Sequence, residues 1–331
     1  MPRRGSAHRG RRDTDISEFV NLTPETLKQQ RLSLEELDTY LLVAGVACCI
    51  DELVVVPPLF AEVLRAFGVH LYRTGRPLYI YLMAVTAIQR LHPALRVHFG
   101  AVWSLAESWR CLEPTVHRIP VPLRLFQAVC AVAISLGWLR FAGVCMISFL
   151  GPARIGEPMR AKRMHLVLPE DTLYEHVDKV FLHIVSPKTG AHFGARTQHV
   201  TVRGKAIATM LERAFASLGP DEKLYPFADA TFRRRWDEIL YKVLLLPRSL
   251  HFTPGGLRGG GAVSAYTSDV PIETIRWRMR ISNNRTLGHY LQEVTAASSL
   301  SSLAPKSREA VSLFSKLYLM LCLPETPSQS A

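Results

Sequence analysis

The sequence predicts a mainly α-helical protein with a small β-sheet, in which an N-terminal helical bundle precedes a larger α+β domain. Apolar residues recur with helical period through most of the 331 residues, a length that allows two domains. Residues 177–202 depart from that period, because β-branched residues nearly alternate there around a segment of Pro, Gly and Lys. A stretch with prolines and no helical period, 111–120, separates two groups of helices and predicts a linker.

The N-terminal third of the chain predicts a tail followed by a helical unit. Residues 1–31 are basic, small and polar, which is typical of a disordered tail but would also suit an arm on nucleic-acid backbone or a nuclear address. Helical patterning begins at Leu34, where Ser33 and Glu36 have the spacing of a capping box. We therefore expect a compact unit of four helices over 34–110, with Pro or Gly between them.

The second domain is predicted over 121–323. It begins with apolar helices up to Leu150, continues through the predicted hairpin and returns to helical patterns. The last of these helices places four apolar residues on one face, which we expect to pack on the domain's own core: Val311, Phe314, Tyr318 and Leu321. Residues 324–331 predict a disordered tail.

Positive charge dominates the composition. The chain has 40 Lys and Arg against 28 Asp and Glu, a formal net charge of +12. This surplus favours a polyanionic partner, either nucleic acid or an acidic membrane. Arginines recur through the N-terminal helices and suit either solvated faces or a basic surface towards a DNA duplex: Arg65, Arg73, Arg76, Arg90, Arg96 and Arg110.

Signals for export, membrane insertion and metal binding are not found in the sequence. The N-terminal residues lack an apolar core, and the most apolar segment, 125–139, is too short for a membrane span. The six cysteines lack CxxC spacing and the twelve histidines lack an HExxH pattern. We expect free thiols, no metal, no small-molecule cofactor, no membrane association, and a nuclear or cytoplasmic location.

Four residues stand out as candidates for chemistry: Arg154, Lys188, Arg258 and Tyr290. Taken alone, each has an ordinary structural explanation. An arginine after an apolar helix is usually a cap or an ion-pair partner, a lysine in a hairpin loop is usually solvated, and a tyrosine in an amphipathic helix is usually half-buried in the core. Arg258 lies in FTPGGLRGGGAV among five glycines. Glycines allow backbone to approach a phosphate closely, or they form a tight turn between helices.

In order along the chain, the four segments resemble the catalytic domain of tyrosine recombinases, the phage-integrase family. ARIGEPMRAKRMHL is similar to that family's first-arginine box, and SPKTGAHFGARTQHVTV to its lysine hairpin, including Arg196. TPGGLRGGGAVSAY is similar to the second-arginine box and NNRTLGHYLQEV to the segment of the nucleophilic tyrosine. The resemblance covers about 120–300, and the preceding helices suit the family's SAM-like core-binding domain.

The resemblance implies a site-specific recombinase or integrase of a mobile element, which cleaves and rejoins DNA through a phosphotyrosyl intermediate. Arg154 and Arg258 would hold the scissile phosphate, Tyr290 would attack it, and Lys188 would protonate the departing 5′ oxygen. The implied partner is double-stranded DNA. Strand exchange between two duplexes implies a homo-oligomer, a tetramer on DNA.

Two positions depart from the family pattern and leave three alternatives open. Gly255 stands where the family has histidine, and Ile281 stands where it has histidine or tryptophan. His251, His289 and Trp277 are nearby in sequence and are candidates for support, although neighbours on a helix, such as His289 and Tyr290, do not share a face. The chain is then a working recombinase, a degenerate relative that binds DNA without cleaving it, or a basic helical interaction protein.

Overall fold

The computed structural model describes residues 22–114, 118–185, 198–281, 283–301 and 303–323. They form two compact units, one within residues 1–116 and one within residues 117–331. The described residues are mostly helical and contain a three-stranded antiparallel sheet. This confirms the predicted class of a mainly α protein with a small β-sheet.

The first unit is entirely helical in its described part. Its helices are α1 Pro24–Val43, α2 Ile50–Val54, α3 Pro57–Arg73, α4 Leu78–Leu91 and α5 Gly100–Leu112, with a 3-10 turn at Pro93–His98. Large side chains fill one core between them: Leu37, Phe60, Phe67, Tyr81, Phe99 and Trp109. Tyr81 satisfies its buried hydroxyl by donating to the carbonyl of Val102 at 3.1 Å.

Helix α1 begins ten residues earlier than the sequence predicts. Thr23 is its N-cap and accepts a hydrogen bond from the backbone N–H of Thr26 at 3.2 Å. Ser33 is buried in the middle of the helix, so the predicted capping box is wrong. The predicted disordered tail is wrong for residues 24–31, and its remainder, 1–21, lies outside the described residues.

A polar tertiary contact explains why composition missed the start of α1. Gln30 is 4% exposed, and its side chain accepts from Arg90 Nε of α4 at 3.0 Å. Gln30 is thus part of the core, although a polar residue at this place in the sequence pattern suggests a solvent-exposed position. The polar N-terminal half of α1 therefore depends on packing against α4 that no local pattern reveals.

The second unit holds the sheet and ten helices in its described part. The strands are β1 Leu166–Val167, β2 Lys179–Ile184 and β3 Gln198–Arg203, in the order β1-β2-β3. The helices are α6 Leu123–Ser135, α7 Leu139–Leu150, α8 Gly156–Arg160, α9 Lys205–Phe215, α10 Asp229–Glu238, α11 Gly256–Tyr266, α12 Ile272–Met279, α13 Asn284–Gly288, α14 Glu293–Ser301 and α15 Pro305–Cys322. Strands β2 and β3 confirm the predicted hairpin, with Val180 opposite Val202. The connecting residues, 186–197, lie outside the described part of the chain.

Helices α6, α7 and α15 build the core of this unit. The rings of Phe126 and Phe149 stack with their centroids 4.0 Å apart, and Tyr318 packs edge-on against Phe126. The predicted apolar face of the last helix is confirmed, because its four residues pack on this core. No helix among the described residues combines the length and apolarity needed to cross a membrane.

Residues 118–122 pack on the second unit, whereas the sequence predicts a linker over 111–120. Helix α5 continues to Leu112, and Pro120 and Val121 are buried in the second unit. The backbone N–H of Val121 donates to the carbonyl of Gly256 at 3.1 Å. Prolines suggest a free connection, but here Pro120 and Pro122 belong to a short segment that lies against helix α11.

Candidate active site

Three glycines around Arg258 lie in helix α11 at positions where neighbouring backbone leaves no space for a side chain. A Cβ atom on Gly260 would lie 2.0 Å from the carbonyl oxygen of Val121, and one on Gly261 would lie 1.9 Å from that of Phe149. Gly256 meets the carbonyl of Ile119 in the same way, at 2.4 Å. The alternative of a tight turn between helices is therefore wrong for Gly256, Gly260 and Gly261. They let α11 lie directly on protein backbone, and this fixes Arg258.

Arg258 is a buried cation with unused donors. The residue is 4% exposed, and its Nη2 donates to the carbonyl oxygen of Met279. Its Nε and Nη1 atoms are buried and have no hydrogen-bond partner among the described residues. Burial, followed by repulsion from Arg154 and Arg280, lowers the pKa of Arg258 to about 10. A buried guanidinium with two unpaired donor atoms can bind an anion through them.

Arg154 is held in a turn between α7 and α8 by the carboxylate of Glu157. The backbone N–H of Arg154 donates to Glu157 Oε2 at 2.8 Å, and its Nη1 donates to Oε1 at 3.3 Å. The Glu157 side chain is 5% exposed, whereas that of Arg154 is 30% exposed. Burial alone would raise the pKa of Glu157, but Arg280 and Arg154 together hold that pKa below its ordinary value.

A third arginine, Arg280, joins this network although the sequence did not single it out. Its side chain is 9% exposed, and its Nη2 lies 2.5 Å from Glu157 Oε2. Its Nε and Nη1 are buried without a partner in the described part of the chain. Arg280 follows α12 with a φ of 55°, a left-handed conformation in which non-glycine residues are uncommon. Its burial and its contact with Glu157 distinguish it from Arg278, which is exposed two residues earlier.

Tyr290 lies in a turn between α13 and α14, and not on a helix as the sequence predicts. Its ring centre is 5.6 Å from Cζ of Arg258, a cation–π distance. The ring also borders a small apolar cluster that includes Met279 and Leu287. The structure thus brings Arg154, Arg258 and Tyr290 together around one buried patch of positive charge.

The remaining predicted residues divide into three groups. Lys188 and Arg196 lie outside the described residues. His251 is exposed after the 3-10 helix Arg248–Leu250, and His289 is exposed in a turn. Trp277 is 75% exposed, so the prediction that it supports the site, by packing in place of Ile281, is wrong.

The two positions that depart from the family pattern have identifiable neighbours. Ile281 packs in the apolar cluster beside Tyr290. A Cβ atom on Gly255 would lie 2.2 Å from Nη1 of Arg118, so this arginine occupies the space beside Gly255. Arg118 is exposed and was assigned to the linker by the sequence, which gave no signal for this contact. Gly255 and Gly259 lie one helical turn apart, and Gly259 neighbours the Tyr290 ring, so Arg118 borders the same helix face.

No group of three or more His, Cys, Asp or Glu side chains that could hold a metal ion occurs among the described residues. All six cysteines are free, and Cys130, Cys145 and Cys322 are buried while Cys49 and Cys111 are exposed. The described residues of the site supply guanidiniums, a carboxylate and a phenol.

Comparisons with known proteins show a structural likeness but no match by sequence. No protein-family model matches the sequence, and no curated protein gives a significant match. Among solved structures, the chain is similar to one described as "Crystal structure of XerA recombinase", with 16% sequence identity and a TM-score of 0.40. The similarity covers 88% of this chain and 92% of that chain. A likeness at this level does not establish a family, so the side chains of the site have to carry the functional conclusion.

Proposed function

We propose that this protein breaks and rejoins double-stranded DNA through a covalent phosphotyrosyl intermediate, as a site-specific tyrosine-type recombinase. The observation that carries the proposal is Arg258, a buried guanidinium with unpartnered donors whose Cζ lies 5.6 Å from the Tyr290 ring. Guanidinium donors suit the non-bridging oxygens of a phosphodiester, and a phenol beside them is placed as a nucleophile.

The reaction that suits these groups is an exchange of one phosphodiester bond for another. Tyr290 Oη attacks the scissile phosphorus, its proton passes to water, and the bond from phosphorus to the 5′ oxygen breaks. Lys188, whose role comes from the resemblance alone, donates the proton that the departing 5′ oxygen takes up. Attack by a second 5′-hydroxyl reverses these steps and releases Tyr290, so the phosphotyrosyl bond conserves the energy for rejoining.

The guanidiniums of Arg154 and Arg258 stabilise the charge that develops on the phosphoryl oxygens during attack. Interactions that strengthen in the transition state are the ones that accelerate a reaction. The chain's formal net charge of +12 supports DNA as the polyanionic partner. Exchange between two duplexes would use four protomers, and integration of a mobile element is the setting that the resemblance suggests.

A second candidate function is DNA binding without cleavage, by a degenerate relative of these enzymes. The observation that favours it is that Gly255 and Ile281 supply no proton donor, while Arg118 and apolar side chains occupy their surroundings. Loss of a positioned acid–base group slows a reaction by about 10²–10⁴-fold. Both candidates bind DNA with an affinity that falls as salt rises, and only the first forms covalent adducts.

Covalent capture tests the proposal. The parent chain, Tyr290→Phe and the matched control Tyr266→Phe are expressed in cells, the lysates are denatured, and DNA that remains bound to protein is sequenced. Tyr266 lies at the end of α11, about two helical turns from Arg258, and the proposal gives its hydroxyl no role. We expect adducts from the parent and Tyr266→Phe and none from Tyr290→Phe. Salt-dependent DNA binding without adducts from any chain would instead favour the second candidate.

A further inference from the structure

We infer that Arg280 is a third guanidinium that contacts the scissile phosphate. This inference deepens the proposed function and rests on it, since it assigns a further catalytic residue to the same site. It starts from the network in which Arg154 and Arg280 both donate to Glu157, while Arg258 donates to the carbonyl of Met279, the residue before Arg280.

A purely structural ion pair with Glu157 leaves two donor atoms of Arg280 unexplained. Its Nη2 alone contacts Glu157, while Nε and Nη1 are buried with no partner among the described residues. Arg258 has the same two donor atoms buried and unpartnered. Two adjacent guanidiniums with matching unused donors are typical of an anion site, because buried donors are otherwise almost always paired.

The charges of the side chains in this network also support an anion site that includes Arg280. Among the described residues, Arg154, Arg258 and Arg280 face a single carboxylate, that of Glu157, and both Arg154 and Arg280 lower the pKa of Arg258 by repulsion. Three guanidiniums against one carboxylate leave two surplus positive charges. A phosphodiester carries one negative charge, and attack by a phenolate adds a second. Arg280 therefore adds to the positive charge that stabilises the developing negative charge of the transition state, which is the state that catalysis must stabilise.

The backbone aims Arg280 at this position. Met279 is buried in the apolar cluster beside Tyr290, and α12 ends there. The left-handed conformation of Arg280 turns the chain, and its side chain meets Glu157 on α8.

The test compares three substitutions for their effect on covalent DNA adducts in cells. Arg280→Met removes the charge, Arg280→Lys keeps a charge that can pair with Glu157 but loses the fork, and Arg278→Met is the exposed control on the same segment. We expect Arg280→Met to lower adducts about 10²–10³-fold, as loss of one transition-state donor does. Arg280→Lys should form only slightly more adducts than Arg280→Met, and Arg278→Met should form as many adducts as the parent.

Thermal unfolding of the same purified chains separates this role from a structural one. Adducts from Arg280→Met that equal those of the parent, or full recovery in Arg280→Lys, would overturn the assignment of Arg280 alone. A loss of adducts no larger than the loss of folded protein would do the same. If the parent itself forms no adducts, the proposed function fails, and the catalytic role of Arg280 fails with it.

Discussion

Cζ of Arg258 lies 5.6 Å from the centre of the Tyr290 ring, with the arginine 4% exposed and the tyrosine half-buried. The face of an aromatic ring attracts a cation, so Tyr290 compensates part of the burial of that charge. It does not satisfy Nε and Nη1, which have no partner in the described chain. The free protein therefore keeps an under-compensated charge in its interior, and this relationship has consequences for stability.

Arg258→Met should make the protein without a bound anion more stable, and it should abolish the proposed adduct formation. Replacement of a buried charge by an apolar side chain of similar length is often stabilising, here by about 1–2 kcal/mol. Urea unfolding of the parent and the variant measures this difference. The matched control is Arg154→Met, which should destabilise because it leaves the buried Glu157 with one fewer cation. An Arg258→Met chain that is clearly less stable than the parent would contradict an unsatisfied Arg258.

Inorganic phosphate should stabilise the parent through the same donors. A ligand that binds only the folded state at ten times its Kd adds about 1.4 kcal/mol to the free energy of unfolding. We expect the Tm of the parent to rise with phosphate at constant ionic strength, and that of Arg258→Met to rise much less. Equal shifts in the two chains would assign the effect to general salt action.

The glycines of α11 allow a matched pair of substitutions. A Cβ on Gly261 would lie 1.9 Å from the carbonyl oxygen of Phe149, whereas one on Gly259 would have its nearest contacts at 3.7 Å. Gly261→Ala should therefore destabilise by roughly 1–3 kcal/mol or prevent folding, because backbone has to move. Gly259→Ala should be neutral or stabilise by up to about 1 kcal/mol, since alanine favours a helix. Chemical denaturation distinguishes the two, and similar effects would show that α11 packs differently.

The sequence predicted those parts of the fold that depend on local pattern. The hairpin strands and the apolar face of α15 follow from residue alternation and helical period, which survive packing. The start of α1 was missed because Gln30 is a polar residue in the core. The packing of residues 118–122 was missed because it depends on glycines more than a hundred residues away. Contacts of this kind are long-range and have no local signature.

The site shows the same division between local and long-range information. Arg154, Arg258 and Tyr290 were singled out by their motif contexts, and the structure places them around one patch. Arg280 and Arg118 were not, because each is marked only by a residue distant in sequence, Glu157 in one case and Gly255 in the other. Surface arginines and site arginines look alike until burial and partners are known.

Gly255→His should have little benefit unless Arg118 is also changed. The backbone at Gly255 is in the right-handed helical region, so histidine is allowed there, but its Cβ would lie 2.2 Å from Arg118 Nη1. A double-mutant cycle with Arg118→Ala should show favourable coupling of about 0.5–1 kcal/mol in unfolding experiments. Adduct yield should be higher in the double variant than in Gly255→His alone. Independent effects of the two changes would mean that Arg118 moves away freely.

Glu157 should make stability depend on pH in the acidic range. Its pKa in the folded protein lies below the ordinary value of 4.5, because Arg280 and Arg154 outweigh the effect of burial. A carboxyl with a lowered pKa stabilises the fold above its unfolded pKa, and this contribution is lost as pH falls through the folded pKa. The parent should therefore exceed Glu157→Gln in stability at neutral pH by an amount that shrinks below about pH 4.5. Denaturant unfolding of both chains from about pH 7 to about pH 3 measures this, and a difference that stays constant would mean that the carboxylate gains nothing from the two arginines.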